Sequence, residues 1–283
     1  GGCCSVHGAE GLEINATGAT VWLWPGSFVD VRDSRRSTIR GLTVDFSPPC
    51  FSQGRVSAVQ KASQSFDLDI AGGFLPPDAA AHPQFNATEV KVIYWSSTTR
   101  RILTQPGSNP WDPQTSRCAG THCTIVLGDP ANPLPSVGDL ATLSPRIGAN
   151  MAIQTWYTSG FRLTNCSAML TEAVTMHGSG SMGFGEFGGE GGHTWRGCRN
   201  VRRPGSDHLL SSNHDGFHSY AVAKGPTLES VEIGFCGDDA LNIHSVVSAA
   251  APFAPSPEAV IKDAAAQMSL LLKPVPSSHN KLY

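Results

Sequence analysis

The sequence predicts an all-β protein, a parallel β-helix interrupted by a small antiparallel unit, and three observations carry that expectation. The run Met182-Gly183-Phe184 recurs as Asp215-Gly216-Phe217 and again as Asp239-Ala240-Leu241, at spacings of 33 and 24 residues. Spacings of that size fit a structural unit stacked on its neighbour. An apolar-x-x-apolar-x-apolar frame appears as Ile39, Leu42, Val44, as Leu163, Cys166, Ala168, and as Leu228, Val231, Ile233. Trp195 and Cys198 fit the same frame, although Asn200 breaks its third position. Such short alternations are strand periodicity, with Gly160, Gly192 and Gly225 as turn punctuation just before them. Finally, 30 Gly and 20 Pro suit a turn-rich all-β chain better than a helical one. A β-sandwich does not usually keep one offset across separate segments. The common offset predicts Leu163, Trp195 and Leu228 in a single inward-facing stack.

Residues 1–46 form the first coils, through Leu12 and Ile14, Val21 to Trp24, Phe28 to Val31 and the Ile39 frame. At Pro48-Pro49-Cys50 the rhythm stops. Four alternating runs follow, Arg55 to Val59, Phe66 to Ile70, Glu89 to Trp95 and Thr124 to Leu127, separated by Pro and Gly clusters. Residues 47–143 therefore read as an inserted antiparallel β-barrel or small sandwich. Coils resume over 144–245. The tail, 246–283, is rich in Ala, Pro and Ser and then takes helical composition over 258–272. A coil stack ending near Ile243 leaves an open apolar end and a strand edge that need a cover. Either the helix is that cover, or further coils belong beyond the chain as it stands.

Bulk properties exclude several classes. A net charge of −3 with 15% charged residues gives neither a nucleic-acid footprint nor a polybasic membrane surface. No apolar run is long enough to span a bilayer. The chain opens on Gly1-Gly2-Cys3-Cys4, as expected of a mature form or a fragment. Among 8 cysteines, Cys118 and Cys123 flank a short loop suited to a disulfide, whereas Cys166 and Cys198 read as stacked core residues on adjacent coils. Asn15-Ala16-Thr17 and Asn86-Ala87-Thr88 are glycosylation acceptors in a secretory pathway. An extracellular or secretory location is the expectation.

The chemistry concentrates in residues 211 to 245. Neighbouring strands lie about 4.8 Å apart, so Asp215 and Asp239 on adjacent coils, with Asp238 beside them, bring carboxylates within direct interaction range. Like charges so close cannot all ionise cheaply. One holds a proton while another stays anionic, as acid/base cleavage of a glycosidic bond requires. Asn213 is expected to orient them, His218 and His244 to stand at equivalent points after them, and Glu186 and Glu190 to complete an acidic groove that binds substrate. An Asp in N-x-D-G or G-D-D also serves as a plain turn former, but three acids on consecutive coils exceed that need. His208, His214, His218 and His244 stand without a CxxC frame, and neither a metal nor another cofactor is expected. The glycines from Gly183 to Gly192 are too dense for a phosphate loop and suit a tight loop bordering the groove.

The runs Asn213-His214-Asp215-Gly216-Phe217-His218-Ser219 and Gly237-Asp238-Asp239-Ala240-Leu241-Asn242-Ile243-His244, together with Gly41-Leu42-Thr43-Val44-Asp45-Phe46 leading to Gln53-Gly54, resemble the right-handed parallel β-helix proteins of the pectin-lyase-like superfamily. Within it the likeness is to the α-galactosidases of glycoside hydrolase family 110, and it covers residues 10 to 60 and 137 to 245. The resemblance implies a β-helix interrupted by a small β-barrel, with Asp215, Asp238 and Asp239 as the catalytic carboxylates of an inverting hydrolase. The chain is also similar to the polygalacturonases, whose G-H-G and R-x-K elements are missing after Asp239.

The expected function is therefore hydrolysis of a glycosidic bond in an oligo- or polysaccharide, α-galactosidase-like and by direct water attack. One alternative is a polygalacturonase-like enzyme, or a lyase or epimerase on uronic-acid polymers. The latter needs a basic residue or calcium in the groove, for which Lys224, Arg199, Arg202 and Arg203 are the nearby cations. Another is a non-catalytic β-helix that binds glycans or serves as a structural surface protein.

Overall fold

The computed structural model describes residues 4–78, 90–103, 114–145 and 159–245. The expected 258–272 helix, the rest of the tail and the Asn86 acceptor lie outside them. The chain is all-β. Its opening strands come in threes: β1 (Cys4–His7), β2 (Glu13–Asn15) and β3 (Thr20–Leu23), then β4 (Val29–Arg32), β5 (Thr38–Arg40) and β6 (Thr43–Phe46). The antiparallel strands β7 (Ser52–Gln60), β8 (Ser65–Ile70), β9 (Val90–Trp95), β10 (Thr115–Ala119), β11 (His122–Val126) and β12 (Leu140–Pro145) follow. Threes then resume with β13 (Phe161–Thr164), β14 (Leu170–Glu172) and β15 (Thr175–Met176), and β16 (Phe184–Phe187), β17 (Thr194–Arg196) and β18 (Arg199–Asn200). Last come β19 (Phe217–Tyr220), β20 (Thr227–Glu229), β21 (Glu232–Ile233) and β22 (Leu241–His244).

Outside the antiparallel segment, each strand pairs with the strand one three-strand unit away. The first sheet runs β1-β4-β13-β16-β19-β22, the second β2-β5-β14-β17-β20 and the third β3-β6-β15-β18-β21. All three are parallel. Phe184 pairs with Phe217 and Phe217 with Leu241, the register that the recurring D-G-F run predicts. Inside, the rings of Phe161, Phe184 and Phe217 surround Trp195 at centroid distances of 5.2 to 5.8 Å, in tilted or edge-to-face arrangements that add to area burial.

The predicted single stack of Leu163, Trp195 and Leu228 does not form. Leu163 lies in the first sheet, against Val31 and Glu186, whereas Trp195 and Leu228 pair in the second. The residue that aligns with Trp195 is Thr171, followed by Ile39 and Ile14. The apolar frame slipped because Cys166, at the corner after β13, also faces inward and is 1% exposed. A corner residue turned into the core continues the strand rhythm through the bend. For the same reason Cys166 and Cys198 are not equivalent: one follows the first sheet, the other the second, and both are buried free thiols.

The corners have their own signature. Each exit from the first sheet before the last strand uses one residue of left-handed backbone: Gly8, Asp33, Asn165, Gly188 and Ala221, with φ between 50° and 65°. Gly41, Ala173, Gly197 and Ser230 do the same after the second sheet. On the outside of the second sheet, Glu13, Arg40, Glu172, Arg196 and Glu229 form a ladder of alternating charge with contacts of 2.7 to 3.8 Å.

The antiparallel strands form one six-stranded sheet in the order β10-β11-β8-β7-β12-β9, and a bridge between Val90 and Gln114 links its two ends. It packs around a second core of Phe66, Leu68, Trp95 and Ile125, to which Leu209 and Leu210 also contribute. Cys118 and Cys123 are disulfide-bonded across β10 and β11. The sheet extends through Pro145, past the expected return to coils at 144, and β13 is the next parallel strand among the described residues.

Candidate active site

Three turns that enter the first sheet lie one above another. Bridges join Ser179 to Ser212 and Ser212 to Cys236, so Ser179 to Phe184, Ser212 to Phe217 and Cys236 to Leu241 align residue for residue. The Gly183 amide donates to the Asp215 carbonyl at 2.9 Å, and the Gly216 amide to the Asp239 carbonyl at 2.9 Å. Met182, Asp215 and Asp239 thus occupy one slot in three turns, while Ser181, His214 and Asp238 occupy the slot before it. Gly216 is required here, since an added Cβ would meet the Ile233 side chain at 2.1 Å.

Carboxylate oxygens of Asp215, Asp238 and Asp239 all lie within 4.8 Å of one another. Their surroundings differ. Asp215 is buried, and its Oδ2 lies 2.5 Å from His218 Nδ1. A carboxylate only accepts, so Nδ1 donates, and Nε2 of a neutral His218 then accepts from His244 Nε2 at 3.1 Å. The His218 ring is stacked on Phe187 at 5.8 Å, and the Tyr220 ring lies 4.8 Å from His244. Asp238 and Asp239 belong to the exposed turn. The Asp238 carboxyl is nonetheless raised, first by burial and then by the charges of Asp215 and Asp239, while Lys91 opposes the shift. Burial, with a smaller contribution from His218, lowers His244. His214 is held well below its ordinary value by burial and by Lys91, so it is a neutral donor or acceptor.

Of the expected groove residues, Asn213, His218 and His244 gather at this cluster. Asn213 is fully buried and acts from behind, its Nδ2 donating to the Gly180 carbonyl at 3.3 Å. Glu186 does not join them. Its side chain in β16 points inward, where it is fully buried and accepts from Ser219 Oγ at 2.6 Å and Trp195 Nε1 at 3.3 Å. Burial pushes its carboxyl up to about 7. Glu190 is exposed, but it stands in the turn that leaves the first sheet, at the opposite end from the turns carrying the aspartates.

The arginines named from sequence are engaged elsewhere, and Lys224 stands in the turn that leaves the first sheet after β19. Arg199 pairs with Glu232 at 2.8 Å and Arg203 with Asp45 at 2.6 Å. Arg202 donates to the carbonyls of Leu209 and Arg100. The cation at the site is Lys91 of β9, which sequence reasoning passed over. Its Nζ donates to the Gly237 carbonyl at 2.6 Å and the Asn213 carbonyl at 3.0 Å. The signal was a lone lysine alternating with Ile93 and Trp95 in an otherwise apolar run.

Chemically, the site offers a buried carboxylate held by a histidine, a second carboxyl biased toward its protonated form and a third open to solvent. The same three oxygens are the one such group among the described residues close enough to share a hard cation. No family model matches the chain, and no curated protein matches it in sequence.

Proposed function

We propose that the three parallel sheets are the faces of one right-handed β-helix, that the six antiparallel strands are a barrel inserted into it, and that the protein hydrolyses glycosidic bonds with the Asp215, Asp238 and Asp239 cluster. The observation that carries the reading is the convergence of these three carboxylates, within 4.8 Å, from consecutive stacked turns. Asp238, whose carboxyl is raised, donates its proton to the glycosidic oxygen as the C1–O bond breaks. Asp215, oriented by the Nδ1–H of His218, accepts a proton from water as the water oxygen bonds to C1. Asp239 helps hold that water, since one water bridges oxygens of this separation at ordinary hydrogen-bond lengths of about 2.7 to 2.8 Å. The substrate class is an oligo- or polysaccharide, α-galactosides first by resemblance. The Cys118–Cys123 disulfide favours a secreted or extracytoplasmic setting.

A lyase or epimerase on uronic-acid polymers is less favoured, because Arg199, Arg202 and Arg203 are tied up in other contacts. Screening aryl glycosides and uronides in EDTA, followed by proton NMR of the first-formed anomer, tests the proposal. Hydrolysis of an α-galactoside with inversion supports direct water attack. The carboxylates are closer than the roughly 6.5 to 9.5 Å common in inverting enzymes, so a retained anomer would replace the water step with a covalent one. Turnover of no glycoside, or an unsaturated uronide product, overturns hydrolysis and leaves glycan binding or elimination.

A further inference from the structure

Three carboxylates gathered this closely repel one another, and the fold supplies an opposing charge from outside the parallel sheets. Lys91 is fully buried, and burying an ammonium group is costly unless its hydrogens are satisfied. Two of them are directed at the carbonyls of Asn213 and Gly237, equivalent positions in the two stacked turns. Those turns touch through their backbones, since a Cβ on Gly237 would lie 2.3 Å from the Asn213 oxygen and 3.3 Å from Ile93 Cδ1. Strand β9 therefore packs against both turns, with its lysine between them.

We propose that Lys91 is a positioning residue for the carboxylate cluster: it clamps the turns bearing Asp215 and Asp238 to each other and to the antiparallel sheet, and its ammonium group is the counter-charge beneath the acids. The proposal rests on the acid/base reading of the cluster for its catalytic meaning, but not for its test. The titratable and charged groups facing Lys91 are Asp238, Asp215 and Cys236, whose charges favour the ammonium form, and His214, on which it acts in turn. Burial outweighs them, and the net result is a lysine lowered to about 8. Asp238 experiences the reciprocal effect, for among its charged neighbours Lys91 alone lowers its carboxyl.

A purely structural lysine would hold the turns without controlling their protons, and that difference is measurable. In protein carrying ¹³C-labelled aspartate, with EDTA present, the Asp238 carboxyl is titrated by NMR in the parent and in Lys91→Met, the resonance being assigned by its loss in Asp238→Asn. The expected result is a midpoint about one pH unit higher in Lys91→Met, within the range that removal of a nearby opposite charge produces. An unchanged midpoint in a folded variant overturns the proposal. If Lys91→Met does not fold, the reciprocal measurement decides: the Lys91 midpoint, about 8 in the parent, should fall in Asp238→Asn, and a stationary value refutes the coupling. Neither titration requires turnover, so absence of glycosidase activity would count against the proposed function while leaving this result intact.

Discussion

The turns Ser212 to Phe217 and Cys236 to Leu241 occupy equivalent places in successive units, yet one is buried and the other exposed. Asp215 sits in the first with a histidine against it, and Asp239 in the same slot of the second, open to solvent. The turn before them carries Met182 in that slot. The backbone thus provides a repeated address, occupied in turn by no acid, by a buried acid and by an exposed one.

The strongest way to break this comparison is to remove the acids one at a time. Asp215→Asn is expected to lower turnover by about 10² to 10⁴-fold, the usual contribution of a positioned acid or base, and Asp239→Asn by less, because Asp239 only helps to hold the water. Thermal melting should separate them. Asp215→Asn loses a buried charged hydrogen bond and melts lower, whereas Asp239→Asn melts with the parent. Equal activity in both variants and the parent would end the acid/base reading, and loss of fold in Asp239→Asn would make that residue a turn former.

A second test presses the turns apart. Gly237→Ala sets a methyl group 2.3 Å from the Asn213 carbonyl oxygen, backbone that cannot rotate away. We expect destabilisation of about 1 to 3 kcal/mol, the usual cost of overpacking, in a denaturant titration. Parent-like stability would mean that the turns are not in contact.

The smallest expected effect concerns Glu186, the acid excluded from the cluster. Its folded value, about 7, stands above its ordinary 4.5 because of burial. The sign follows: its contribution to stability is fully present below about pH 4.5 and is lost as pH rises through about 7. Glu186→Gln does not titrate, so at about pH 8 it should melt several degrees above the parent, with the gap closing below about pH 4.5. A gap independent of pH would mean that this carboxyl titrates normally.

These outcomes also bear on what could be read from residues alone. The D-G-F and D-A-L register was legible because the aspartates and the apolar residue after them recur in fixed order, and their pairing follows that order. The frame through Leu163 failed where Cys166 carries the core around a corner. The corners themselves were hard to see because left-handed backbone, which favours glycine, is held here also by Asp33, Asn165, Ala173, Ala221 and Ser230. Glu186 was misassigned because its carboxylate suggested a groove, whereas in β16 it points into the core against Trp195 and Ser219. Lys91 belongs to the site only through tertiary folding, since 122 residues separate it from Asn213.

The ladder from Glu13 to Glu229 acts as a parity code. Each exposed pair stabilises little, about 0 to 1 kcal/mol, so its value lies in discrimination between alignments. Parallel strands of similar length and composition can be mistaken for one another during folding, and a strand docked two places along would meet its own sign across the gap. Alternation makes adjacent neighbours attractive and next-nearest ones repulsive. A weak surface feature thereby favours this stacking order over its alternatives for the units from Glu13 to Glu229, which include the one that carries Asp215.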